Sequence, residues 1–140
     1  MIIEDDIKLD YSDVLIRPKR STLTSRFDVE MERTYTFYHS RKEWTGIPVM
    51  ASNMDTTGTF EMHNELSKHG MITCIARHYN KNGLKWNETA CKNKLCVMSG
   101  ISSTEISEII GVATTFSDIA FIGLDVANGY TINFVDAIKR

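Results

Sequence analysis

Four short runs of apolar and β-branched residues punctuate the second part of the chain: Ile47–Ser52, Met71–Ala76, Leu95–Gly100 and Ile119–Leu124. Their first residues are each 24 positions apart. None alternates strictly between polar and apolar, so each predicts a strand covered on both faces, as parallel strands are when helices flank them. The intervening segments are long enough for one crossover helix each. The third is the clearest. Ser102 and Glu105 have the spacing of a capping box, and Ile106, Ile109, Ile110 and Ala113 then repeat on one helical face. In the first, Met62 and Leu66 line one side, and Gly70 suits a left-handed stop. The second spans about Leu84–Cys91. A fourth begins near Thr131 and carries Phe134, Val135 and Ile138.

Charge divides the chain differently. Residues 1–46 hold 17 charged side chains, whereas the following 94 residues hold another 17. The expectation is a charged, solvated arm over 1–46 and a packed α/β region of four βα units over 47–140. Four such units fit a small doubly wound sheet or the first half of a TIM (β/α)8 barrel with the remainder absent. A half-barrel would leave two open strand edges, which need pairing.

At 140 residues the chain is the size of one domain. Its net charge of −2 argues against a nucleic-acid binder. No apolar run is long enough to span a bilayer. Met1-Ile2-Ile3 is followed at once by Glu4-Asp5-Asp6, unlike a signal peptide, so a cytoplasmic chain is expected. Three cysteines, an odd number, fit reduced thiols better than a disulfide framework. Cys74 and Cys96 lie in predicted strands and read as core. Cys91 and Cys96 have no second pair or histidine partner that would complete a zinc set, so no metal site is expected.

In parallel α/β folds the loops after the strands build the site. Here those loops are Asn53-Met54-Asp55, Arg77-His78-Tyr79, Ser99-Gly100-Ile101-Ser102-Ser103 and Asp125-Val126-Ala127-Asn128-Gly129. Asp55 and Asp125 face Arg77 and His78 on one expected rim, which suits a polar, phosphate-bearing organic ligand. Each residue also has a plainer role. Asp55 reads equally well as the N-cap of the first helix, Asp125 as a structural hydrogen-bonding group, His78 as an ordinary rim residue, and Asn128-Gly129 as a turn. The basic stretch Arg17-Pro18-Lys19-Arg20 reads alone as a solvated strip.

Three blocks carry a resemblance: Lys8-Leu9-Asp10-Tyr11-Ser12-Asp13-Val14-Leu15-Ile16-Arg17-Pro18-Lys19-Arg20-Ser21-Thr22-Leu23; Asn53-Met54-Asp55-Thr56 with Gly58-Thr59-Phe60-Glu61-Met62; and Leu124-Asp125-Val126-Ala127-Asn128-Gly129-Tyr130. Together they resemble the N-terminal part of the IMP dehydrogenase/GMP reductase family, on its GMP reductase branch. The resemblance implies a (β/α)8 barrel, usually tetrameric, that uses NADPH to convert GMP to IMP with release of ammonia. It implies cofactor contacts from the arm's Ser25 and Arg26 to a neighbouring subunit's NADPH, and from Arg77, Asp125, Val126 and Ala127; the strand-end loops themselves put Asn53, Asp55, His78, Asn128 and Gly129 on the expected rim. Arg77 stands where the family more often has lysine, and Ala76 where it has histidine. The family's nucleophilic cysteine, its potassium-binding residues and its GMP phosphate site lie on later loops, so no catalytic residue is expected in this chain and no turnover from it alone. The alternative is a non-catalytic or split half-barrel that binds a dinucleotide or a partner subunit, such as a complementing C-terminal half.

Overall fold

The computed structural model describes residues 5–81, 88–89 and 91–140. The chain divides into two compact units, Met1–Glu30 and Met31–Arg140. In the first, two short 3-10 turns stand out, Tyr11–Asp13 and Arg26–Asp28, each closed by a capping box. Neither turn buries a residue.

The second unit opens with a hairpin. β1 (Arg33–Thr36) pairs antiparallel with β2 (Glu43–Gly46), setting Tyr35 opposite Trp44. The structural division therefore falls at Glu30 and not at the compositional break near Gly46. The reason is Trp44, which is buried and packs with Ile72 and Cys96. Its indole N–H donates to the Asn93 carbonyl at 3.0 Å, and the Lys94 ammonium sits 4.6 Å from its ring centre and donates to the Thr45 carbonyl.

Four parallel strands follow in sequential order: β3 (Met50–Ala51), β4 (Ile72–Ile75), β5 (Leu95–Ser99) and β6 (Phe121–Leu124). Each lies within one of the four apolar runs. Among the described residues the longer helices are α1 (Phe60–Leu66), α2 (Ser103–Thr115) and α3 (Ile132–Ile138). The helix expected over Leu84–Cys91 lies outside the described residues, apart from Glu88, Thr89 and Cys91. No described helix is long and apolar enough to cross a membrane.

The sheet has a core on each face. Ile75, Leu95 and Val97 are fully buried with Phe60 and Ile109, and burying each such aliphatic side chain contributes about 1.5–3 kcal/mol. On the opposite face Ile72 and Cys96 pack with Trp44, Phe121 and Met98. Burial on both faces holds for the central strands. On the outer strands Met50 and Ile122 stay half exposed, because a strand at the edge of a sheet has a neighbour on one side only.

Helix α2 has its expected capping box and buries Ile106 and Ile109, while Ile110 is exposed. Helix α1 ends through a 3-10 turn at Gly70, whose φ of 71° is left-handed. Its buried face differs from the expected one: Phe60 and His63 are buried, with Met62 and Leu66 beside them at half depth. Thr59 caps α1, its hydroxyl accepting from the Met62 amide at 3.0 Å. The N-cap role weighed for Asp55 is thereby excluded. Thr131 caps α3, which buries Ala137 and leaves Val135 and Ile138 exposed.

Candidate functional site

The loops that follow β3, β4, β5 and β6 line one open cleft of about 880 Å³ at the C-terminal ends of the strands. β3 contributes Asn53 and Asp55, β4 contributes Arg77 and His78, and β6 contributes Asp125, Val126 and Ala127. After β5 come Gly100, Ile101, Ser102 and Ser103, joined by Glu105 from the first turn of α2. Asn133, Asp136 and Arg140 reach the cleft from α3 and the residues after it. Asn128 and Gly129 do not line it. The Asn128 side chain instead accepts from the Tyr130 amide at 2.9 Å, which makes this segment the turn considered above.

The loop after β3 is fixed by close backbone packing. A Cβ on Gly58 would lie 2.4 Å from the Cys74 carbonyl and 2.9 Å from the Asn53 Cα, so only glycine fits there. The Gly58 carbonyl in turn accepts from the Ala76 amide at 2.9 Å. These contacts hold Asn53 and Asp55 against the end of β4.

Several polar groups on the rim are paired. Asn53 Nδ2 donates to Asp125 Oδ2 at 2.7 Å, and the Asp125 amide donates to the Ser99 carbonyl at 2.8 Å. His78 Nδ1 lies 3.5 Å from Asp55 Oδ1. The Arg77 guanidinium reaches Glu105 Oε1 at 3.4 Å. With the Arg77 side chain 63% exposed, that pair is screened by solvent and contributes little to stability. The Ser102 hydroxyl donates to Glu105 Oε2 at 2.6 Å. That hydrogen bond, the backbone amides of Ser102 and Gly100, and Arg77 hold the Glu105 carboxyl below its ordinary pKa, against a smaller opposing effect of burial.

The donor set suits an anionic ligand with hydroxyl groups. Arg77 offers a planar fork for phosphate oxygens, and Asp125, fixed on two sides, can accept from a hydroxyl or carboxamide. Four lining carboxylates (Asp55, Glu105, Asp125 and Asp136) outnumber the two guanidiniums of Arg77 and Arg140. A ligand with several phosphate charges therefore needs further positive charge from elsewhere.

Ser25 and Arg26 belong to the other unit. Ser25 is half-buried, and its hydroxyl accepts from the Phe27 amide at 3.2 Å. The Arg26 guanidinium lies 5.3 Å from the centre of the Phe27 ring.

No family model matches the chain. It is 46% identical to a GMP reductase of Caenorhabditis elegans, an alignment covering 99% of this chain and 40% of that protein. It is 43% identical to GMP reductase 1 of Homo sapiens, over 98% of this chain and 41% of that one. By sequence the chain is a relative of the GMP reductases, matching their N-terminal part. Identity to the GMP reductase of Photobacterium profundum is 42% over the whole chain, again 42% of the relative. The chain thus spans about two-fifths of the length of the GMP reductases it matches. In three dimensions it resembles inosine 5′-monophosphate dehydrogenase from Legionella pneumophila, with a TM-score of 0.58 and 20% identity over 91% of this chain and 38% of that one. This likeness supports an α/β fold of parallel strands and helices.

Of the residues expected to contact the cofactor or stand on its rim, seven meet in the cleft: Asn53, Asp55, Arg77, His78, Asp125, Val126 and Ala127. Four polar cleft residues were not anticipated: Glu105, Asn133, Asp136 and Arg140. Glu105 was legible only as a helix cap. Asn133 lies one turn before Ala137, the residue by which α3 is anchored, and that spacing is the signal that places it on the inward side.

Proposed function

We propose that these 140 residues supply the dinucleotide side of a GMP reductase, an oxidoreductase that uses NADPH to convert GMP to IMP and ammonia. The observation that carries this reading is the common cleft formed by four consecutive strand-end loops, in a chain alignable over nearly its whole length with GMP reductases. In this reading residues 47–140 are the first half of a (β/α)8 barrel. The Asn53–Asp125 hydrogen bond supports that curvature. It joins the loops of the two outermost strands, whose axes would stand about 14 Å apart in a flat four-stranded sheet.

Arg77 binds phosphate oxygens of the dinucleotide, and Asp125, Val126 and Ala127 line the nicotinamide side. Asn53 and the Ser99 carbonyl hold Asp125 in place. Ser25 and Arg26 bring the missing positive charge to the cofactor of a neighbouring subunit in a homo-oligomer. When bound, NADPH supplies the hydride. The nucleophilic cysteine, the potassium ligands and the GMP phosphate site belong to later barrel loops, outside these 140 residues. These 140 residues by themselves are then inactive.

Two measurements test this. Titration of the purified chain with NADPH, followed by cofactor fluorescence, should show binding without GMP-dependent oxidation. Mixing or co-expression with the C-terminal portion of a GMP reductase should produce oxidation. Turnover by the 140-residue chain alone overturns the division of labour. A complemented protein that turns over but is unaffected by Arg77→Ala overturns the cofactor assignment.

A further inference from the structure

β4 and β5 set two thiols side by side. Cys74 and Cys96 are Cα partners in the parallel register. Neighbouring strands run about 4.8 Å apart, within the Cα separation of about 4.4–6.8 Å that a disulfide accepts. Residues paired across a ladder point to the same face, and both cysteines belong to the cluster around Trp44 and Ile72. Cys96 Sγ also lies 3.5 Å from Sδ of Met98, two residues further along the same face.

The two thiols are not equivalent. Cys96 is buried and Cys74 is half-buried, so Cys74 is the one a small reagent reaches. The neighbouring Cys96 thiol lowers the Cys74 pKa, while Cys74 and burial raise that of Cys96. An accessible thiol that ionises more readily, in register with a protonated one on the next strand, is the arrangement of an attacking and a resolving cysteine. Core packing alone requires neither the shared register nor this asymmetry. Cys91, the third thiol, is exposed and lies outside the sheet.

We propose that Cys74 and Cys96 are a peroxide-oxidised dithiol, closing to a disulfide across β4 and β5. The Cys74 thiolate attacks one oxygen of a hydroperoxide. The O–O bond breaks, the other oxygen leaves as water or an alcohol after protonation, and Cys74 becomes a sulfenic acid. The Cys96 sulfur then attacks the Cys74 sulfur. The S–S bond forms, the S–O bond breaks, and the oxygen leaves as water with the Cys96 proton. Two thiols lose two electrons in all, and the peroxide gains them. The new bond lies three residues before Arg77 and four before Gly100, so it ties together the strands that carry two walls of the cleft.

The native 140-residue chain is treated with hydrogen peroxide, quenched, unfolded in excess maleimide and digested for mass spectrometry. The expected product is a linked pair of peptides containing Cys74 and Cys96, two hydrogens lighter than their sum, in preference to any link through Cys91. Oxidation of urea-unfolded chain, where the native register is lost, provides the reference and should lose that preference. Cys91→Ser should still form the bridge, and Cys96→Ser should stop at a Cys74 sulfenic acid that dimedone traps. Wild-type chain in which Cys74 and Cys96 both remain open to maleimide after peroxide overturns the proposal, as does preferential linkage of either one to Cys91. The wild-type result decides the matter even if a variant fails to fold.

Discussion

Asn53 and Asp125, 72 residues apart in the chain, meet through a single hydrogen bond of 2.7 Å. One follows the first parallel strand and the other follows the last, so the contact spans the mouth of the cleft. Asn53→Ala should leave the fold intact, because the bond is exposed and its net contribution to stability is about 1 kcal/mol or less. It should nevertheless weaken NADPH binding by about three- to tenfold, since Asp125 loses one of its two anchors. Asn53→Asp should be worse, because it sets two carboxylates face to face. Fluorescence titration of the three proteins checks the order.

Arg77 distinguishes charge from geometry. In the proposed cofactor site, Arg77→Ala would remove a charge-assisted contact worth about 1.5–3 kcal/mol, a loss of roughly 10- to 150-fold in NADPH affinity. Arg77→Lys should recover part of that loss, keeping the charge but not the planar fork. The alanine variant should also show a shallower dependence of binding on salt. Equal affinities for all three proteins would remove Arg77 from the cofactor site.

Glu105 sets a pH dependence with a definite sign. Its pKa in the folded chain is lowered, first by the Ser102 hydroxyl and further by backbone amides and Arg77. A depressed carboxylate contributes stability that is complete above its unfolded pKa and is lost as pH falls through the folded one. The melting temperature of wild type should therefore exceed that of Glu105→Gln at pH 7. The gap should close on acidification through the ordinary carboxylate range and below it. A gap that persists unchanged through that range and below it would contradict the assignment.

Gly58 sits where no side chain fits. Gly58→Ala forces a Cβ to within 2.4 Å of the Cys74 carbonyl, and overpacking against backbone typically costs about 1–3 kcal/mol. Thermal melting should register that loss. NADPH titration below the melting transition should show weakened binding as well, because Asn53 and Asp55 move with the loop.

The strand rhythm was legible because buried parallel strands write themselves as short apolar runs, and the regular spacing of Ile47, Met71, Leu95 and Ile119 survives any local ambiguity. The capping box at Ser102 and the stop at Gly70 were legible for the same local reason. The hairpin was not. Glu43-Trp44-Thr45-Gly46 alternates exposed and buried, but an average over a charged region conceals one tryptophan whose partners lie far along the chain. His63 was missed because Met62 and Leu66 are the more apolar residues of α1, while the turn after Gly58 decides which face meets the sheet. Asp55 and Thr59 both suit an N-cap, and only the backbone path chooses between them. Glu105 shows a further limit: capping α2 and facing Arg77 are compatible duties, and periodicity reports only the first.

The packing of the hairpin also orders events during synthesis. The Phe37 ring meets Phe121 edge-on at 5.6 Å between centres, and Trp44 approaches the same ring at 5.8 Å. Phe121 is translated long after either of them. The aromatic surface that meets Phe121 therefore stays uncovered on a nascent hairpin until β6 has emerged, and closing contacts over so many intervening residues is slow.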